Sequence, residues 1–233
     1  METYKPLEIL YQDDWIVAIN KPAGLLVHRS SIANNTSVFA VQLLRDQLGH
    51  YVYPIHRLDR KTSGILLFAK DSCYVSAFQQ ELANEKTQKK YIAIVRGYFP
   101  SEIIVNHALR KENGQFQEAE THFKCLATTE IDLAFGKFNT SRYSIIEAFP
   151  KTGRMHQIRK HLNHLRHPII GDRPHGCNKQ NKLFLKKWGL TKMLLHAEEL
   201  NINHPYLDKK LIILAERPSH FREMINSLSF LLM

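Results

Sequence analysis

Three cysteines in 233 residues, Cys73, Cys125 and Cys177, are odd in number and far apart, and none forms a C-x-x-C pair. That excludes a disulfide framework or a cysteine-built zinc site and points to reduced thiols in the cytoplasm. No apolar run approaches the roughly 18 residues of a membrane span. The opening "METYKPLEIL" lacks the basic and apolar regions of a secretory signal. Repeats, low-complexity stretches and Gly/Ser/Pro-rich linkers are also missing, so one soluble domain over residues 1–233 is expected. Acid is the scarce charge: 22 Asp and Glu stand against 32 Lys and Arg, a net charge of +10. The excess of base favours a polyanionic partner, nucleic acid before an anionic membrane. A basic RNA-binding or RNA-folding protein without catalysis would share this charge.

The apolar pattern gives a mixed picture. "LEILYQDDWIVAINKP" reads as two strands about a turn at Asp13-Asp14. Ser37 to Leu48 has helical spacing, with Gly49 as its stop. Gly64 opens the strand "ILLFAK", and Asp71 is placed to cap a helix carrying Val75, Phe78 and Leu82. Strands are expected at "YIAIVRG", "IIVNHAL", "ETHFKCLAT", "YSIIEAF", "HAEELNI" and "LIILAE", with "RKENGQFQE" as a loop. Helices are expected over Arg154 to Leu165 and after Pro218. The resulting fold class is α+β, a mixed, largely antiparallel sheet with flanking helices.

Three segments carry chemistry. In "HRLDRKTSG" one acid, Asp59, stands among Arg57, Arg60 and Lys61, and the hydroxyls of Thr62 and Ser63 follow. Neighbouring cations favour the ionised form of a carboxylate, which can serve as a nucleophile or an electrostatic stabiliser. A solvated surface acid would read the same way. The kinase catalytic loop is excluded because Leu58 separates Arg57 from Asp59 and no Asn follows at the required offset; "AFG" at Ala134 to Gly136 lacks the metal-binding Asp. A glycosidase would need a second, comparably placed carboxylate, and none stands out.

The second segment, "KTGRMHQIRKHLNHLRHPIIGD", is a basic helix. Several cations on one helix face suit phosphate binding; alternatively, Arg159 turns inward to a buried acid. His156, His161, His164 and His167 invite a metal, but no acid or cysteine accompanies them within the run and "HQIRKH" is not H-E-x-x-H. The third is "KKYIAIVRG", where Tyr91 either packs in the core or stacks on a base.

Together these segments resemble the RluA-type pseudouridine synthases. "HRLDRKTSGILLFAK" is similar to that family's H-R-L-D-x-x-T-S-G signature. "KKYIAIVRG", "KTGRMHQIRKHL…HPIIGD" and "LLHAEELNINHP" follow in the family's order, from about Leu7 to Pro218. The resemblance implies the pseudouridine synthase fold with a central active-site cleft, and isomerisation of uridine in RNA without cofactor or metal. It implies Asp59 as catalytic aspartate, Arg159 as its ion-pair partner, Tyr91 stacked on the uracil and Arg57 holding a flipped-out base. Arg60, Lys61, Arg154 and Lys160 would contact RNA. Within the family the chain looks most like a branch acting on tRNA at uridine 65 of the acceptor stem, without an S4-like domain; an rRNA-directed member is the alternative. A monomer is expected.

Overall fold

The computed structural model describes residues 5–28 and 38–230. In chain order, β1 (Glu8–Gln12), β2 (Ile16–Lys21), α1 (Ala40–Leu48), β3 (Tyr53–Pro54), β4 (Ser63–Ala69) and α2 (Val75–Ala83) come first. There follow β5 (Gln88–Arg96), β6 (Glu102–Asn106), the short β7 (Leu109–Arg110) and β8 (Phe116–Gln117), β9 (Glu120–Ile131) and β10 (Ser141–Pro150). Last come α3 (Gln157–His164), α4 (Asn178–Trp188), β11 (Leu195–Asn203), β12 (Lys210–Leu214) and α5 (Ser219–Ser227). The strand pairs whose register is defined are antiparallel, as in β1–β2, β2–β4, β5–β10 and β9–β10. The expected α+β class with a mostly antiparallel sheet and flanking helices is therefore what the chain adopts.

Two compact units divide the chain. One comprises Met1–Lys89 with Ala197–Glu216, and the other Lys90–His196 with Arg217–Met233. In the first, strands run in the order β1-β2-β4-β11, with β12 also on β11 and β3 on β4. Its core joins Ile16 and Ala18 of β2, Ile65 and Leu67 of β4, Phe78 and Leu82 of α2, and Leu200 and Ile202 of β11. Asp71 accepts a hydrogen bond from Cys73 N at 2.9 Å, capping a short 3-10 turn that leads into α2.

In the second unit the order is β5-β10-β9-β6. The run Ile92–Val95 of β5 is fully buried because both sheet faces are covered. Ala93, Val95, Ile146 and Ala148 face α3 residues Ile158 and Leu162. Ile92, Ile94, Tyr143 and Ile145 face Phe184 of α4 and Phe221 and Met224 of α5. Burying a Phe side chain such as Phe184 or Phe221 contributes about 1.5–3 kcal/mol.

Several boundaries differ from expectation. Helix α1 begins at Ala40, with Phe39 extended before it, and Ser37 lies outside the described residues. "RKENGQFQE" contains the β7–β8 hairpin, because Leu109 and Arg110 pair with Gln117 and Phe116. Helix α3 begins at Gln157, not Arg154, since His156 takes a left-handed conformation (φ 57°) that helix cannot continue through. Arg154 is therefore not on a helix face; its side chain Nε donates to Glu118 O at 2.9 Å. Helix α4 was not expected: its polar, lysine-rich sequence hides the few positions it buries, Gln180 and Phe184. Among the described residues no helix is long and apolar enough to cross a membrane.

Candidate active site

In the first unit, Asp59 lies half-buried in the loop between β3 and β4. Thr62 N donates to Asp59 O at 3.1 Å, closing the turn, and Gly24 N donates to Arg60 O at 2.7 Å. Arg60 returns the contact, its Nε donating to Gly24 O at 2.9 Å. The carboxylate's loop is thus stitched to the turn after β2.

Beneath it lies Lys21, the last residue of β2 and wholly buried. Its Nζ donates to Pro22 O and Leu25 O, each at 2.9 Å, and to Arg60 O at 3.3 Å. Those three acceptors match the three donors of an ammonium. Burial pushes the Lys21 amine down to about 7, and the Asp59 carboxylate acts in the opposite sense. The composition of "WIVAINKP" held the only signal, a lysine closing a buried strand, and the sequence reading passed over it.

Two more residues brace this loop. Leu67 N donates to His56 Nε2 at 3.1 Å, so that nitrogen is unprotonated; burial, with the charge of Lys89, pushes His56 down to about 4. At Gly64, φ is +109° and a Cβ would stand 2.1 Å from Ala197 O. Only glycine permits that approach. Arg57 and Arg60 are exposed and Lys61 is half-buried, so Arg57, Arg60 and Lys61 surround Asp59 in sequence on one loop.

In the second unit, Tyr91 lies on β5 opposite Ala148 of β10, half-buried against the core that α3 covers. Arg159, on α3, is only 4% exposed. Its Nε donates to Asp172 Oδ2 at 2.7 Å and its Nη2 to Asp172 Oδ1 at 2.8 Å, a bidentate charge-assisted pair. Asp172 is the buried acid that an inward-turned Arg159 called for. Burial pushes its carboxyl up, but the hydrogen bonds and charge of Arg159 outweigh this and hold it below the ordinary carboxylate range. His175 N adds a bond to Oδ1 at 3.2 Å, and Asn181 Nδ2 holds the Asp172 carbonyl at 2.6 Å.

The segment entering α3 is organised by Gln157. Its Oε1 accepts from Thr152 Oγ1 at 2.6 Å and Arg154 N at 3.0 Å, while its Nε2 donates to Glu120 O at 2.8 Å and Thr121 Oγ1 at 2.9 Å. A buried amide with its hydrogen-bonding capacity used this fully fixes the path of the chain. Sequence reasoning missed Gln157 because nothing in its spacing separates it from a solvated glutamine.

The histidines have other partners. His156 Nδ1 and His175 Nε2 lie 2.9 Å apart. His161 sits 3.0 Å from both Thr121 Oγ1 and His107 O, and His164 stacks on His107 with centroids 4.0 Å apart. His167 Nδ1 bonds Arg96 O at 2.9 Å. Lys160 is half-buried and reaches Arg110 O at 3.4 Å.

The Asp59 loop of the first unit and, taken by themselves, Tyr91 and Arg159 of the second lie in the segments that carry the family's motifs. The sequence model of the RNA pseudouridylate synthase family matches residues 15–164, and the chain belongs to that family, as an isomerase of the RluA type. Particular relatives are named tRNA pseudouridine synthase C. That of Vibrio parahaemolyticus is 46% identical over 220 residues, covering 90% of this chain and 89% of the relative. That of Pasteurella multocida is 42% identical over 231 residues, covering 94% and 95%. Among solved structures, human RNA Pseudouridylate Synthase Domain Containing 4 superposes with a TM-score of 0.73 at 26% identity, covering 97% of this chain and 94% of that one.

Proposed function

We propose that this chain isomerises uridine to pseudouridine in tRNA, at uridine 65 of the acceptor stem, with Asp59 as the catalytic carboxylate. The observation that carries the reading is the Asp59 loop itself: a carboxylate on a turn held by Lys21, Gly24 and Thr62 within a matched family segment. The tRNA substrate is supported by the names and identity of the relatives. We take the whole chain to act as one cytoplasmic, monomeric catalytic domain needing neither cofactor nor metal.

The reaction breaks the bond from uracil N1 to ribose C1′, turns the base and joins C5 to C1′; C5 loses a proton and N1 gains one. Both routes open to Asp59 begin from the ionised carboxylate: attack on C1′, or removal of the 2′ proton to give a glycal. Tyr91 stacks on the uracil and helps take the C5 proton. Arg159, preset by Asp172, supplies the positive charge that keeps the carboxylate reactive. Extruding the base from its stem costs a few kcal/mol. Contacts from Arg57, Arg60, Lys61, Arg154 and Lys160 to RNA offset it.

The test is tritium release from uridine labelled at C5 in unmodified tRNA. Wild type releases tritium, Asp59→Ala does not, and Arg159→Ala loses turnover far more than tRNA affinity. Release from 23S rRNA but not tRNA would replace the substrate, and unaltered release by Asp59→Ala would remove Asp59 from the chemistry.

A further inference from the structure

We infer that the second unit carries a separate RNA-contact site, at the tip of the β9–β10 hairpin, which takes one unpaired nucleotide of the RNA substrate; the inference rests on the reading above that RNA is the substrate. The tip is a tight turn. Phe135 N donates to Phe138 O at 2.9 Å, and Phe138 N to Phe135 O at 3.2 Å, with Gly136 at φ +62° between them. Two rings are thereby presented around Lys137, and Phe138 is 48% exposed. They line a cavity of about 210 Å³ shared with Arg96, Tyr143 and Gln180. This volume suits a single heterocycle better than a drug-sized ligand.

The charges at this cavity are unbalanced. Arg142, on the rim, is committed: its Nη2 lies 3.1 Å from Glu130 Oε1 and its guanidinium 5.5 Å from the centre of the Tyr98 ring. Glu130 also accepts from Tyr98 Oη at 2.5 Å and from Thr140 Oγ1. Arg96 is different. Its guanidinium lies 5.1 Å above the Phe135 ring and has no hydrogen-bond acceptor or carboxylate among the described residues. Lys137 Nζ lies 5.6 Å from the Phe138 ring centre. An anion tethered to a flat aromatic ring meets both needs at once. The base stacks on the phenylalanines and the phosphate takes the free face of the guanidinium.

A second feature points the same way. Gln180 reaches this cavity from α4, and Lys179, Lys182 and Lys186 follow on that helix at spacings that place them on one side. All three are exposed, and none has a carboxylate partner among the described residues. Such a row suits the backbone flanking a docked nucleotide. The site is not where Tyr91 is. Arg96 lies five residues further along β5, about 17 Å. It pairs in register with Tyr143, whose side chain packs on the sheet face opposite that of Tyr91. The nucleotide held here therefore belongs to a different segment of the RNA from the target uridine.

The test measures binding of fluorescein-labelled unmodified tRNA to the full chain by anisotropy across a salt series, beside tritium release. Phe138→Ala and Arg96→Gln should each raise Kd about 5- to 30-fold. Lys179→Gln/Lys182→Gln/Lys186→Gln should flatten the slope of log Kd against log salt by about 2 to 3, the value for three released phosphates. Phe138→Trp should restore affinity, which a packing role in the hairpin would not predict. Kd values within twofold of wild type for Phe138→Ala and Arg96→Gln would overturn the site. So would uridine monophosphate filling the cavity while those substitutions leave tRNA affinity unchanged, since the occupant would then be a free nucleotide. If wild type binds tRNA through these residues but releases no tritium from it, the contact site stands and the tRNA isomerase reading falls.

Discussion

Removing one member of the Arg159–Asp172 pair should cost more stability than removing both. Arg159 is 4% exposed and Asp172 fully buried, and two short hydrogen bonds join them. Asp172→Ala removes the carboxylate that accepts two hydrogen bonds from the buried Arg159 guanidinium, a loss of about 3–5 kcal/mol. At this chain length each kcal/mol moves the melting midpoint by about 2–4 °C, so the fall should be about 6–20 °C. Arg159→Met/Asp172→Leu replaces both charges with apolar groups and should melt near wild type, yet release no tritium from tRNA, because the charge proposed to act on Asp59 is gone. Acidification supplies an independent arm. The folded Asp172 carboxyl titrates below its ordinary value. Its contribution is therefore complete above the unfolded pKa of about 3.9 and is lost as pH falls through the lower folded value. Wild-type and Asp172→Asn stabilities, measured by denaturant titration, should differ at neutral pH and converge in acid. An Asp172→Ala protein within about 1 kcal/mol of wild type would refute the argument. Other contacts would then suffice to hold Arg159, and Asp172 would have no positioning role.

Four further outcomes follow from the loop that carries Asp59. Lys21→Met leaves three backbone carbonyls without their donor; each costs about 1–3 kcal/mol if it stays unsatisfied, and turnover should fall as the loop loosens, with melting and tritium release as the readouts. Because the folded Lys21 amine lies near 7, below its unfolded value, the unfolded state holds more protons between about 7 and 10.4. Wild type should therefore gain stability relative to Lys21→Met as pH rises through that window, and parallel curves would contradict it. His56, pushed down to about 4, favours the folded state fully above its unfolded pKa of about 6.5 and loses that contribution as pH falls towards 4; His56→Gln should lack this slope in acid denaturation. Gly64→Ala forces a Cβ to within 2.1 Å of Ala197 O at a positive φ, and should destabilise by more than about 4 kcal/mol, which a soluble variant melting near wild type would disprove.

Much of the fold was legible because its strands follow their hydrophobic periods. "YIAIVRG" reads as a strand and is one, and its unbroken burial reflects cores on both faces. The helix after Pro218 buries Phe221, Met224 and Ile225 as its spacing requires. What escaped lies where local signals conflict with tertiary ones. Arg154 to His156 have helical composition, but Gln157 ties Thr152 and Arg154 back to the start of the helix and His156 turns left-handed. Helix α4 has few apolar positions to display a period, and is fixed by Phe184 packing on β5 and β10.

The same conflict explains which parts of the site could be read. Of the residues proposed for the site, Asp59 stands out in the sequence because cations adjoin it, and Arg159 because the basic run around it is dense. Lys21 and Asp172 gave no such sign: each sits at the end of an apolar run, "IVAIN" and "HPIIG", where a hydrophobic pattern treats a charge as a boundary. Both are in fact fully buried, and each has its hydrogen-bonding groups engaged, by carbonyls in one case and by Arg159 and His175 in the other. Burying a charge without partners costs several kcal/mol, so a chain retains one only where its partners are built around it. Here those partners are the Asp59 loop for Lys21 and Arg159 for Asp172. A charge that terminates a buried strand or loop beside a recognised motif should therefore be read as support for that motif before it is read as the strand's solvent-facing end.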